Sequence, residues 1–286
     1  MKVLKARPIT KERYKQLSED ILTLGITPSL TVVLIGEDPA ASYYVQNLVK
    51  FGLKYGLEVN IAKYDTTITQ AELLTLIEEL NESKKCHGIM LQKPLPSHID
   101  EDLIVNAISP NKDVDGFHPY NLGNLFMEQS NFVPCTPAAV LEMLEYYEIE
   151  TSGKHIAIVG RSNIVGKPLA NLFLRKNKTG NATVTVCHSR TTNLSEITRQ
   201  ADILVAAIGK ANFIDSSMIK KGAVIIDVGI NEVTLPDGKK TYVGDVAYDE
   251  CSELSSAITP VPGGIGSLTT YNLLKNVYVA ARLNNA

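Results

Sequence analysis

Short β-branched runs alternate with helix-length stretches along the whole chain, and they do so in two series. In the first, 29–36 (SLTVVLIG) reads as a strand closed by Gly36, and 40–55 reads as a helix. An apolar stretch follows at 57–64. The spacing of Leu73, Leu74, Ile77 and Leu80 predicts a helix over 70–81, and 88–91 is a short buried strand ending before Pro94 and Pro96. The second series begins after Thr151-Ser152-Gly153, with strands at 155–159, 183–187, 203–208 and 223–228. A helix opens near Pro168, where a missing N–H costs nothing. The last helix, about 268–283, follows a glycine-rich turn. Strands separated by helices imply parallel βαβ units, so the expected fold class is α/β.

The 286 residues give room for about two domains at ~150 residues each. No repeat or low-complexity linker separates them, so the crossing must be structured. The Gly-, Pro- and Asn-rich stretch 111–137 is the candidate. Lys and Arg number 28 against 31 Asp and Glu, a net charge of −3, which argues against a nucleic-acid surface. No apolar run approaches the ~20 residues that span a bilayer, and 1–15 has no signal-peptide core, so a cytoplasmic protein with no membrane partner is expected. The four cysteines show no CxxC and the five histidines no HExxH, so neither a disulfide framework nor a metal site is expected.

Gly160-Arg161-Ser162-Asn163-Ile164-Val165-Gly166-Lys167-Pro168 follows a strand and opens a helix, the place where backbone N–H groups meet a dinucleotide's pyrophosphate. Ser162 and Val165 stand where a standard GxGxxG turn has its later glycines, so a plain tight turn is the competing reading. The second strand of this half ends Cys187-His188-Ser189-Arg190, with no carboxylate for a ribose 2′-OH. Ser189, with Arg190 and Arg161, suits a 2′-phosphate instead, which favours NADP over NAD.

In the first half, three strings stand out: Ser42-Tyr43-Tyr44-Val45-Gln46-Asn47, Leu91-Gln92-Lys93-Pro94-Leu95-Pro96, and Lys112-Asp113-Val114-Asp115-Gly116-Phe117-His118-Pro119. Singly, each has a structural reading. Tyr44 can be core packing, Gln92 a cap on the proline turn, and Asp113 or Asp115 a turn-former beside Gly116.

Together and in this order, the strings resemble the methylenetetrahydrofolate dehydrogenase/cyclohydrolase family, bacterial FolD type. The resemblance extends through Pro134-Cys135-Thr136-Pro137, the 160–168 turn and Cys187-His188-Ser189-Arg190-Thr191. It continues in Asp227-Val228-Gly229-Ile230-Asn231, Gly244-Asp245-Val246 and 259–266 (TPVPGGIG). It implies two α/β domains around a cleft: an N-terminal folate domain, 1–119, and a C-terminal Rossmann-like NADP domain, 120–286. The last helix would be able to pack back on the first domain. It also implies a homodimer acting on 5,10-methylenetetrahydrofolate in one-carbon metabolism and purine biosynthesis. The implied catalytic residues are Tyr44, Gln92 and Asp115. Tyr44, Asp115, Pro262 and Gly263 would contact folate, and Gly160, Arg161, Ser162, Ser189, Ile230 and Thr269 would contact NADP.

The chain departs from the family pattern at its most chemical position. The family's catalytic lysine lies four residues after the tyrosine, and here that residue is Leu48. Lys50 does not replace it, since two residues is about 200° around a helix. Lys93, Ala139 and Ser267 are lesser departures from an apolar residue, a glycine and a proline. The resemblance implies two steps: oxidation of methylenetetrahydrofolate to the methenyl cation, then hydrolysis to 10-formyltetrahydrofolate. Hydride departure moves no proton, whereas hydrolysis needs an acid and a base worth ~10²–10⁴-fold. Leu48 should therefore spare the first step and weaken or abolish the second, and the family's fungal monofunctional dehydrogenases also lack the lysine. Two rivals are a non-catalytic folate- or nucleotide-binding paralogue, supported by Leu48, and an amino-acid or shikimate dehydrogenase, for which no Lys-Asp pair in a suitable motif is visible.

Overall fold

The computed structural model describes residues 1–285. The chain divides into two units, one of Met1–Lys11 with Pro134–Thr269, the other of Glu12–Val133 with the chain from Thr270. This differs from the expected 1–119 and 120–286, whose last residue lies outside the described residues. Three contacts explain the difference. The N-terminal strand β1 (Lys2–Val3) pairs in parallel with 257–258 and so joins the second-half sheet. Residues 120–133 stay with the first half because Asn121 donates to the Asp113 carboxylate (2.8 Å) and to Pro110 O (2.9 Å). The last helix joins them there, with Asn276 donating to Val114 O (2.8 Å) and Val133 O (3.2 Å).

The stretch after β1 that alternates basic and apolar residues is a helix, α1 (Ala6–Leu24). The smaller unit is then built on β2 (Ser29–Ile35), α2 (Pro39–Tyr55), β3 (Glu58–Tyr64), α3 (Gln70–Glu82), β4 (Gly88–Leu91), α4 (Glu101–Ala107) and α5 (Pro119–Phe126). Its three strands are parallel in the order β3-β2-β4. All seven residues of β2 are buried, as a central strand covered on both faces requires. Val33, Ile35, Leu73, Ile77, Ile89, Leu91 and Ile104 form its core. Two caps fix where helices start: Asp38 accepts from Ala41 N ahead of Pro39 in α2, and Thr69 with Glu72 makes a capping box on α3. Each such cap is worth about 1 kcal/mol.

The larger unit follows with α6 (Cys135–Tyr146), β5 (His155–Val159), α7 (Gly166–Leu174), β6 (Thr183–Cys187), α8 (Leu194–Thr198), β7 (Ile203–Ala206) and β8 (Val224–Asp227). A hairpin, β9 (Asn231–Thr234) and β10 (Lys240–Val243), precedes α9 (Tyr248–Leu254), β11 (Ala257–Ile258) and α10 (Ile265–Asn284). Its sheet runs β1-β11-β8-β7-β5-β6, every pair parallel. That is a doubly wound order, with the reversal of direction between β5 and β7. Strands β7 and β8 stop short of 208 and 228. Beyond Ala206 the N–H groups of Ile208, Gly209 and Lys210 turn to the Asp245 carboxylate, and beyond Asp227 the Gly229 N–H turns back to Asp227 Oδ1. Among the described residues no helix is long and apolar enough to cross a membrane.

Candidate active site

In an open parallel sheet, ligands bind beyond the carboxyl ends of the strands. In the smaller unit, β4 ends at Leu91 and the ladder runs one step further, Gln92 N donating to Val33 O at 2.9 Å. The 112–114 segment then pairs beside β4 in parallel, with Ile89 opposite Asp113 and Ile89 N bonded to Lys112 O at 2.8 Å. Past that single bridge the chain turns, with Gly116 N bonded to Asp113 O at 3.2 Å, and Asp115 lies in that turn beside β4.

The turn that carries Asp115 is held by its neighbours. Lys112 is buried and its ammonium donates to Leu80 O and Ser83 O, both at 2.8 Å, which closes the end of α3. Burial keeps that ammonium below the ordinary lysine range. Asp113, also buried, accepts from Phe117 N (3.2 Å), His118 N (2.8 Å) and Asn121 Nδ2 (2.8 Å). The sequence left Asp113 and Asp115 as equal turn-formers; the structure gives that work to Asp113. Asp115 is half-buried and accepts no hydrogen bond among the described residues. Burial first, and then the Asp113 carboxylate, push its pKa up to about 7, while the Lys93 ammonium pulls the other way. Gln92 donates from Nε2 to Lys93 O at 2.9 Å, and its Oε1 is buried with no hydrogen-bond partner among the described residues. A buried amide oxygen without an acceptor role is costly, so this one is available to a ligand.

Helix α2 starts at the same sheet edge. Ala41, Val45, Leu48 and Gly52 are its buried stripe, and Leu48 is 0% exposed. Tyr44 is half-buried one turn before Leu48, and Lys50 is exposed. Tyr44 belongs to a group of phenols with Tyr14, Tyr55 and Tyr271. Burial first, then these neighbours, push the Tyr14 hydroxyl well above its ordinary value.

In the larger unit the turn after β5 sits at the reversal point. Gly160, at φ 140°, bonds Cys187 O through its N–H (2.9 Å), and Ala207 N reaches Val159 O (2.9 Å). A Cβ on Gly160 would collide with Ala207 O, and one on Gly166 with Gly160 O. These two glycines let α7 approach the strand ends closely, the use a dinucleotide turn makes of glycine. Ser162 Oγ accepts from Val165 N at 3.1 Å, and no side chain caps α7 itself. Arg161, Ser162 and Ser189 are exposed, and the Gly160–Cys187 bond places the Arg161 and Ser189 turns at one edge. Ile230 is exposed between β8 and β9, and Thr269, on α10, lies 3.3 Å from Thr136 Oγ1. Pro262 and Gly263 are exposed in the turn after β11, where Gly263 O accepts from Ala6 N at 2.9 Å. The residues expected for folate are thus divided between the units: Tyr44, Gln92 and Asp115 in one, Pro262 and Gly263 in the other.

Residue-by-residue reading passed over the scaffold beneath the cofactor turns. Asp245 accepts from Ile208 N (2.6 Å), Gly209 N (2.9 Å), Lys210 N (2.9 Å) and Asn231 Nδ2 (2.9 Å). Asp227 accepts from Gly229, Asp245 and Val246 N–H groups, each at 2.9 Å. Burial pushes Asp227 up to about 6, against the pull of those bonds. The available signal was glycine beside aspartate, twice: a Cβ on Gly229 would meet Asp245, and one on Gly244 would meet Asp227.

Known proteins similar to this chain agree along its length. A family model described as tetrahydrofolate dehydrogenase/cyclohydrolase, catalytic domain, matches residues 4–115, and the corresponding NAD(P)-binding domain model matches 134–285. A bifunctional protein FolD of Chlorobium chlorochromatii is 51% identical over 284 residues, 96% of each chain. The bifunctional FolD crystal structure from Campylobacter jejuni matches with a TM-score of 0.92 at 43% identity over 99% of each chain. A Trypanosoma brucei dehydrogenase-cyclohydrolase, solved with NADP cofactor and an inhibitor, matches at a TM-score of 0.92 and 35% identity, covering 98% of this chain and 97% of that one.

Proposed function

We propose, from the premise that this chain belongs to the tetrahydrofolate dehydrogenase/cyclohydrolase family, that it oxidises 5,10-methylenetetrahydrofolate to 5,10-methenyltetrahydrofolate with NADP⁺ and hydrolyses the product weakly or not at all. The names and ligands of its relatives support the first part. Leu48, fully buried where the family places its catalytic lysine, carries the second.

The residues present fit the cofactor. Gly160 and Gly166 leave a cradle that a Cβ would fill, and Arg161 and Ser189 are exposed at its edge for a 2′-phosphate. Ser162, Ile230 and Thr269 complete the proposed contacts. The bound nicotinamide supplies the hydride acceptor, and the rest of the first step is orientation. Asp115 receives the pterin amino and ring N–H groups as a pair of hydrogen bonds. Tyr44 stacks on the folate, Gln92 Oε1 accepts from it at the strand end, and Pro262 and Gly263 supply backbone contact. The electron pairs of the two ring nitrogens push the hydride out, so no side chain has to move a proton.

Hydrolysis requires a water to lose a proton and a nitrogen to gain one. Gln92 does not titrate, and the ordinary phenol value near ~10 makes tyrosine a poor base at neutral pH. Leu48 can neither carry a proton nor order water. A homodimer in the cytoplasm rests on the family resemblance alone, and light scattering of the purified protein checks the dimer.

The deciding experiment assays both steps on one preparation. NADPH should form from methylenetetrahydrofolate, while the methenyl chromophore decays close to its buffer-only rate. Hydrolysis as fast as oxidation would sink the second half of the proposal. Binding of both ligands without turnover would favour the non-catalytic paralogue that Leu48 also suggests. Leu48→Lys, checked for folding by circular dichroism, should raise hydrolysis toward the ~10²–10⁴-fold an acid–base group supplies.

A further inference from the structure

Lys93 is a departure from the family pattern, and the structure gives it a place. Its ammonium lies 2.6 Å from Glu101 Oε1, on α4, and 5.1 Å from the centre of the Phe117 ring. Phe117 belongs to the turn that carries Asp115, and its N–H is bonded to Asp113. The lysine side chain is only 27% exposed, so its field is less screened than that of a surface cation. We propose that Lys93 is a positioning residue for substrate binding, a cation fixed on the Phe117 ring beside the 113–117 turn that favours an acidic Asp115 side chain as the pterin's partner. This rests on the reading of Asp115 as the pterin's partner.

The surrounding charges leave that task to Lys93. Asp113, in the same turn, and Glu101, on α4, are carboxylates. Lys112 points its ammonium at Leu80 O and Ser83 O. His118 accepts from Tyr120 N through Nδ1 and faces Asn106 O with Nε2, so both its ring nitrogens are turned to the backbone. Lys93 thus offsets the repulsion between Asp113 and Asp115, consistent with the direction of its effect on Asp115. Salt-bridged to Glu101 and seated on an aromatic ring, its ammonium is held in one place beside the turn.

The test is a titration of ¹³C-labelled aspartate by NMR in the ligand-free protein, with Asp115→Asn for assignment. Alongside it runs the pH dependence of kcat/KM for methylenetetrahydrofolate. Lys93→Met should move the Asp115 titration up by about one unit, the lower end of what a nearby opposite charge does. The acid limb of kcat/KM should move with it. With Asp115 titrating about 7 at the start, that shift cuts its charged fraction at neutral pH about five-fold, and KM for folate should rise by the same factor. Lys93→Arg should restore both, and Glu101→Gln, which keeps the cation, should not reproduce the upward shift. An unmoved Asp115 titration in Lys93→Met overturns the proposal. A titration that moves while folate kinetics stay fixed upholds the electrostatic link and overturns the reading of Asp115 as the pterin's partner.

Discussion

Two acid-bearing loops, one in each unit, look alike in sequence: Asp113-Val114-Asp115-Gly116, which follows an isolated parallel bridge beside β4, and Asp227-Val228-Gly229, at the carboxyl end of β8. Their carboxylates behave differently. Asp227 and, from a distant segment, Asp245 are saturated by seven hydrogen bonds from N–H groups of 208–210, 229, 231, 245 and 246. In the smaller unit Asp113 is saturated in the same manner, and Asp115 is left open. A saturated carboxylate is scaffold: it fixes a loop and has nothing left to offer. An open, partly buried one has paid for desolvation without the offsetting bonds, which is the condition expected of a ligand-binding group. The larger unit keeps its open groups elsewhere, as exposed Arg161, Ser162 and Ser189 around a glycine turn.

The largest effect expected from this contrast falls on Asp115. On the proposed assignment, Asp115→Ala removes two charge-assisted hydrogen bonds to the pterin at ~1.5–3 kcal/mol each, so kcat/KM for methylenetetrahydrofolate should fall ~10²–10⁴-fold. NADP⁺ affinity, measured by calorimetry, should hardly change. Unchanged folate kinetics would make Asp115 another scaffold residue and dissolve the distinction.

Asp245→Ala should do the reverse. It strands the Ile208, Gly209 and Lys210 N–H groups and the Asn231 amide; these are part-buried, so each costs less than the ~1–3 kcal/mol of a fully buried unpaired donor, and the loss adds up over four of them. A loss of about 3 kcal/mol in urea unfolding is expected. A change under ~1 kcal/mol would mean that water replaces the carboxylate easily and that saturation is not what holds the loop.

Arg161→Ala tests the open groups of the larger unit. It should weaken NADP⁺ by ~1.5–3 kcal/mol and NAD⁺ far less, since only the former carries the 2′-phosphate. Equal losses for the two cofactors would remove the 2′-phosphate assignment and leave Arg161 as a solvated loop residue.

Much of the fold was legible because its signals are local. The strands 88–91, 155–159 and 183–187 match the β-branched runs residue for residue. The α/β class follows from their alternation with helices. Ala6–Leu24 was not legible: its basic and apolar residues carry a weak pattern, and neither its first turn has an acidic residue nor its last a basic one. Strand ends at 206 and 227 were misjudged because what stops them is a long-range bond to Asp245 or a turn onto Asp227, which no window of sequence contains. The crossing at 133/134 lies inside the expected stretch 111–137, but the boundary at 119/120 was set early for a related reason. Asn121 reaching Asp113 and Asn276 reaching Val133 are contacts between separated segments. The glycine turn at 160–168, by contrast, was visible as a motif. Choosing between Asp113 and Asp115 needed the hydrogen-bond partners.

The smallest effect is the most direct measure of what an open carboxylate costs. Asp115 titrates about 7 in the fold against an ordinary 3.8, because burial disfavours its charge. Between those values the native state binds more protons than the unfolded one, so this group's contribution to stability is full below pH 3.8 and is lost as pH rises to about 7. Asparagine has no charge to desolvate. Asp115→Asn should therefore match the parent protein's stability near pH 4 and exceed it above pH 7, by about 1–2 kcal/mol. That is less than the full shift because the side chain keeps some contact with water. At ~2–4 °C per kcal/mol, the melting temperatures should differ by a few degrees at pH 8 and converge in acid. Asp227 adds a slope of the same sign up to about pH 6 in both proteins, so it cancels in the difference. Asp113→Asn, run in parallel, should lose stability throughout the neutral range, since its carboxylate holds three donors. If both variants are destabilised alike, the two aspartates of the turn are one scaffold, and the folate site must be sought at Gln92 and Tyr44 instead.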